Sequence, residues 1–396
     1  MSWEKVKLGE ISFCIQPGPF GSQLHNSDYA DEGTPIIMPK DMIDGQIQHT
    51  GLNKVPEEHV IRLQRHQVYE GNLMVARKGD VRKCVYITEK ENGWLTGSDC
   101  LKVVLNERLC YPRYIYYQLR SPYIGSWLQQ ISIGATMPSI NTGLLSSLEV
   151  YLPPIEIQRR IADIFSVYDN LIENNRKQIK LLEEAAQRLY KEWFVDLRFP
   201  GYEDTPIVDG VPKGWSKQTL SDIADVTMGQ SPKSEFYNDK KEGLPFHQGV
   251  GSYGRRFVVD ETYSTSFTKI ADANSILFSV RAPVGRLNFT KNKIVIGRGL
   301  SAMNHKQGKQ SYLFYLLKER FFKDDIVGNG SIFASISKNE LLSQQFIIPT
   351  QELIEAFDNI ATNIDEKIAI LDSQISLLTQ ARDHLLPKLM NGEIEV

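Results

Sequence analysis

One long segment of this 396-residue chain is written twice, and that duplication limits the available folds more than any other feature. The stretch "YLPPIEIQRRIADIF" begins at Tyr151 and "FIIPTQELIEAFDNI" at Phe346. At an offset of 196 residues Leu152 falls on Ile348, Pro153 on Pro349, Glu156 on Glu352 and Ile157 on Leu353. The register continues without a gap through Ile172 on Ile368, Leu182 on Leu378, Leu189 on Leu385 and Trp193 on Leu389. Weaker echoes lie upstream. "WEKVKLGEIS" from Trp3 matches "WSKQTLSDIA" from Trp215 at an offset of 212, and "NLMVARKGDVR" from Asn72 parallels "SILFSVRAPVG" from Ser275 at 203. "GATMPSI" from Gly134 matches "GSIFASI" from Gly330 at 196. Offsets that drift and then lock describe variable loops followed by a module of fixed length. The chain is a tandem duplication, with a period far longer than any solenoid repeat.

Each copy has two parts. The first carries short apolar runs such as "NLMVARKG", "KCVYIT", "SILFSV" and "KIVIG", punctuated by Gly, Pro, Asn and Asp, which predict a strand-rich mixed head. The second predicts a long helix that opens at Pro153-Pro154 in one copy and at Pro349 in the other, where proline suits the first turn. From Ile172 the first helix sets Asn175, Ile179, Leu182, Ala186, Leu189 and Trp193 at alternating spacings of three and four. The second sets Ile368, Leu371, Ile375, Leu378, Arg382, Leu385 and Leu389 at the equivalent sites. Such a narrow stripe suits a two-helix seam, and each stripe is the other's obvious partner. Forty residues of helix reach about 60 Å. "FPGYEDTPIVDGVPKGW", rich in Pro and Gly, reads as the linker between copies.

The length allows two or more cores. "MSWEKVKLGE" lacks a basic start followed by an apolar run, and no stretch approaches the ~18 apolar residues of a membrane span. Cys14, Cys84, Cys100 and Cys110 form no CxxC pair and read as thiols in a reducing cytoplasm. The formal net charge is −3, but its distribution is uneven. Lys269, Arg281, Arg286, Lys291, Lys293, Arg298, Lys306 and Lys309 are opposed within their stretch only by Asp272, a cluster suited to a polyanion. There is no GxxxxGK[ST] loop, and the seven histidines show no metal spacing. The lone GxGxxG, "GVGSYG" from Gly249, runs into the strand-like "RRFVVD" and offers a pyrophosphate no helix start. These absences point to a protein without catalysis of its own.

The residues resemble the specificity (S) subunit of type I restriction–modification enzymes. The carriers are "GPFGSQL" at Gly18–Leu24, "LPPIEIQRRIADIF" at Leu152–Phe165, "LYKEWFVD" at Leu189–Asp196, "GQSPKS" at Gly229–Ser234 and "LLPKLMNGEI" at Leu385–Ile394, together with the duplication. The resemblance implies an α+β fold with two α/β target recognition domains joined by two long helices in an antiparallel coiled coil, a pseudo-twofold internal duplication. The expected boundaries are 1–152 for the first domain, 153–197 for the first helix, 198–213 for the linker, 214–348 for the second domain and 349–396 for the second helix and tail. Each domain would read one half of a bipartite site on double-stranded DNA. Two modification subunits (adenine-N6 methyltransferases) would bind the scaffold and two restriction subunits would complete the endonuclease. S-adenosylmethionine, Mg and ATP are expected on those partners, with no cofactor or metal on this chain. The competing readings are a protein-interaction scaffold without DNA specificity, an enzyme with an unseen motif, and a specificity chain of a related system.

For contact with DNA the candidates in the second head are Arg281, Arg286, Lys291, Lys293 and Arg298, with Gln248 and Arg255 as base readers. In the first head they are Arg77, Lys78, Arg82 and Lys83, with Lys40 as an outlier. Most such cations hold phosphates, since half to two-thirds of protein–DNA hydrogen bonds go to the backbone. The expected seam residues are Ile172, Ile179, Leu182, Leu189, Ile368, Leu371, Ile375, Leu378 and Leu385. Trp193, Phe194 and Leu389, read as surplus apolar surface near the helix ends, are expected to meet a partner subunit.

Overall fold

A computed structural model describes residues 3–19, 21–132, 138–321 and 335–396. Most of "GATMPSI" and "GSIFASI", and Phe20 of "GPFGSQL", lie outside the described residues. The chain divides into two units, Met1–Asn175 with Ser373–Val396, and Arg176–Asp372. Each unit therefore holds one head together with half of each long helix. Those helices run Ile155–Phe194 and Gln351–Met390, 40 residues each.

In the first unit a four-stranded antiparallel sheet has the order Ser12–Pro17, Cys100–Leu105, Leu73–Ala76, Cys84–Tyr86. Its inner strand Leu73–Ala76 is buried along its whole length, as its unbroken apolar run "LMVA" requires. A three-stranded sheet sets Thr34–Ile37 between Asn53–Val55 and Leu95–Thr96, antiparallel to the former and parallel to the latter. Lys5–Lys7 pairs with Glu149–Tyr151, which brings the two ends of the head together before the helix starts.

The second unit repeats this plan. Its four-stranded sheet has the order Ala224–Met228, Leu300–His305, Ile276–Ser279, Leu287–Phe289. Its second sheet again holds a parallel pair, Leu244–His247 with Ile294–Ile296, and Ser216–Thr219 closes on Gln345–Ile348. That second sheet has five strands where its counterpart in the first head has three. The "FPGYEDTPIVDGVPKGW" segment forms a small hairpin, Ile207–Val208 with Val211–Pro212, and buries Phe199 in the second core.

An aromatic helix joins each head to the long helices. Pro112–Leu119 brings Tyr114 and Ile115 against Ile161, Ala162 and Phe165 of the first long helix and Leu386, Leu389 and Met390 of the second. In the second unit Gln310–Phe321 brings Tyr312 and Tyr315 against Ala186 and Tyr190 of the first long helix and Phe357 and Ala361 of the second. Early residues of one helix thus meet late residues of the other inside each unit, so the helices pair antiparallel. Ile172, Ile179, Ile368 and Leu371 of the seam are buried, while Leu182, Leu189, Ile375, Leu378 and Leu385 are half-buried. Asn175 is also buried, and its Nδ2 donates to Gln374 Oε1 at 3.1 Å.

The expectation for Trp193, Phe194 and Leu389 is corrected. Trp193 and Leu389 are buried in the two cores, and Phe194 is half-buried with its ring 5.2 Å from that of Phe357. Each head packs on the ends of the helices, so the apolar surplus there is consumed within the chain. The apolar side chains that stay in solvent lie nearer the helix middles: Leu181 is 64% exposed and Leu377 65%. They are equivalent positions of the duplication.

Candidate nucleic-acid interface

Two glycines in each head come into backbone contact and fix a corner at the end of the four-stranded sheet. The Gly18 N–H donates to Cys100 O at 3.0 Å, and a Cβ on Gly18 would lie 1.9 Å from Gly97 O. The Gly229 N–H donates to Leu300 O at 2.9 Å, and a Cβ there would lie 2.2 Å from Gly297 O. No side chain larger than hydrogen fits at either place. Gly97 and Gly297 are in turn anchored alike, donating at 2.8 Å to Ile37 O and to His247 O. The residue after each of those acceptors lies over the glycine: Met38 in the first head, Gln248 in the second. "GPFGSQL" and "GQSPKS" are thus the sequence trace of a glycine seat.

Around the second seat Ser231 donates from Oγ to Gln248 Oε1 at 2.7 Å and accepts from the Arg298 backbone N–H at 3.3 Å. Val280 N donates to Gly299 O at 2.9 Å, one step beyond the last sheet pair, Ser279 with Leu300, so Arg281 and Arg298 stand at opposite positions one step further on. Gln248, Arg281 and Arg298 are all exposed. In the first head the matching bond runs from Arg77 N to Asp99 O at 2.7 Å, which places Lys78 and Ser98 at the corresponding positions. Lys78 is held there by Asp99 at 3.2 Å.

The other predicted cations sit elsewhere. Arg82 is forked onto Asp80 at 2.8 and 3.1 Å, and Lys83 donates to Pro39 O at 2.9 Å. Both line a cleft of about 700 Å³ with Arg120 and Arg382. Lys40 is exposed and reaches Asn53 Oδ1 at 3.4 Å. Arg255 and Arg286 line a cleft of about 390 Å³ with Glu183, whose carboxyl burial pushes above the usual range. Arg255 also donates to Arg176 O at 3.1 Å. Lys291 reaches Asp372 at 2.6 Å, and Lys293 reaches Asp272 at 3.6 Å. Lys291 and Lys293 of the basic run are therefore held by carboxylates of the chain itself, and of the predicted DNA-contacting residues in the second head the structure gathers Gln248, Arg281 and Arg298 at the corner. Sequence reasoning gave no role to Ser231, Met38 or Ser98; the signal for Ser231 was its place in "GQSPKS". "GVGSYG" contains only the short turn Val250–Ser252 and leads into no helix.

The family model for the type I restriction modification DNA specificity domain matches residues 1–184 and again 212–379. This chain belongs to the type I restriction–modification DNA specificity family. Similar chains of that family include a Methanocaldococcus jannaschii protein named as the MjaX specificity subunit, 30% identical over all of this chain and 94% of its own length. The Haemophilus influenzae HindI specificity subunit is 23% identical, covering 99% of each chain. The fold is that of the crystal structure of a type I S subunit from M. genitalium, with a TM-score of 0.60 at 16% identity over 98% of this chain and 96% of that one. As a specificity-family member the chain is a recognition subunit, and DNA sequence specificity, not a scaffold role without it, is the function its relatives carry. Among the described residues no helix is long and apolar enough to cross a membrane.

Proposed function

We propose that each head reads one half of a bipartite, asymmetric DNA site and that the paired long helices fix the gap between the halves. Two modification subunits dock on the helices, and two restriction subunits complete the nuclease. S-adenosylmethionine, Mg and ATP belong to those partners. The target adenine leaves the stack for a pocket on a modification subunit, because a base inside a duplex is out of reach of the chemistry. The observation that carries this reading is the duplication itself: one fold built twice, with matched four-stranded sheets and long helices but different exposed side chains. Leu181 and Leu377, exposed at the same position of both copies, offer the same apolar foothold to the same partner twice.

The reading is tested by methylome sequencing of cells that express this chain with its modification subunit, against cells lacking it. A new N6-methyladenine motif made of two short half-sites and a fixed undefined gap is the expected result. A complex with the modification subunit that adds no motif would overturn it.

A further inference from the structure

The two heads build the same backbone corner and furnish it differently. The glycine seats, the bonds to Ile37 O and His247 O, and the bonds Arg77 N to Asp99 O and Val280 N to Gly299 O superimpose one scheme on both. On it the first head carries Met38, Lys78 and Ser98, and the second carries Gln248, Arg281 and Arg298. A frame made of backbone contacts with interchangeable side chains is what reading two different base sequences requires, since base edges are read by side-chain donors and acceptors.

We infer that this corner is where each head reads bases, and that in the second head Gln248, aimed by Ser231, pairs with an adenine in the major groove. The inference rests on the DNA-specificity reading above. The chain of bonds from Arg298 N–H to Ser231 Oγ, and from the Ser231 hydroxyl to Gln248 Oε1, fixes the orientation of an exposed amide. One lone pair of Oε1 is used by Ser231; the second accepts from the adenine N6 amine while Nε2 donates to N7, the bidentate pattern that distinguishes adenine. A phosphate needs no such aim. Arg281 and Arg298, whose side chains hold no ion pair among the described residues, flank the amide and take the adjoining phosphates. Ser231 is a positioning residue. In the first head Met38 presents no hydrogen-bonding amide at this place, so the two half-sites differ there.

The test is the methylome of Gln248→Ala, Ser231→Ala and Ser231→Thr chains, each expressed with the same modification subunit. Gln248→Ala is expected to relax one A·T pair of one half-site, lowering discrimination there by roughly 5- to 150-fold, and to leave the other half-site unchanged. Ser231→Ala relaxes the same pair less, and Ser231→Thr, which keeps the hydroxyl, restores it. An unchanged motif in Gln248→Ala, relaxation at a G·C pair, or an even loss across both half-sites would overturn the assignment. Absence of any bipartite motif with the unsubstituted chain is a different result and rejects the underlying reading instead.

Discussion

Asp169 on the first long helix accepts a hydrogen bond from Arg382 on the second at 2.8 Å, and the same carboxylate accepts from Tyr117 Oη at 3.0 Å and Arg120 at 3.4 Å. One side chain thereby ties both helices to the aromatic helix of the first head. Its equivalent in the duplication, Asp365, accepts from Ser311 Oγ at 2.7 Å, from Tyr315 Oη at 3.4 Å and from Arg256. Asp169→Asn keeps the shape but leaves the largely buried Arg120 guanidinium without its carboxylate and Arg382 with only the exposed Asp383. A loss of about 3 kcal/mol is expected, read from the urea midpoint.

The glycine seats allow a sharper test of modularity. In Gly18→Ala or Gly229→Ala the new methyl would meet a carbonyl oxygen at 1.9 or 2.2 Å, so the backbone must move. Each substitution should destabilise its own head by about 2 kcal/mol and blur its own half-site. The methylome of each variant should show one half of the motif losing definition while the other stays sharp.

Acid should weaken both units. Burial, aided by Arg65 and Lys102, holds the His66 imidazole down at about 4, and burial with Lys309 does the same for His305 at about 4. Both folded values lie below the ordinary 6.5. The unfolded chain therefore binds more protons between those values, and the stability that is complete above pH 6.5 declines as pH falls toward 4. Urea midpoints measured from pH 7 to pH 4.5 should drop, and His66→Gln should flatten part of that slope.

At the seam Asn175 is buried where the other copy has Leu371, and Gln374, its partner, is exposed. Asn175→Leu removes a buried polar group without stranding another, so the stability read from the urea midpoint should rise by about 1 kcal/mol.

Trp193 and the outward leucines should separate stability from assembly. Trp193→Ala opens the second core and should remove about 3–5 kcal/mol. Leu181→Ala and Leu377→Ala should leave the melting temperature almost unchanged while weakening capture of the modification subunit in a titration of the two purified proteins.

The sequence was informative wherever a pattern repeats. The locked offset announced two copies, and the stripe from Ile172 and Ile368 announced two helices that bury those residues. It misled where apolar residues had two possible partners. Trp193 and Leu389 read as free surface because periodicity cannot say that a head will fold back over a helix end. The candidate site was half legible. A basic run shows in composition, but whether Lys291 meets DNA or Asp372 depends on contacts 81 residues apart. Ser231 was invisible as an individual because its role is a single hydrogen bond set by tertiary register.

The glycine seats also bear on how such a protein changes over time. Their contacts run between backbone atoms, so nothing in them depends on what stands at positions 231, 248, 281 or 298. Drift at those four positions can alter the target sequence while the frame that presents them keeps its stability. Inheritance of the fold and invention of a new target are thereby separated within one chain.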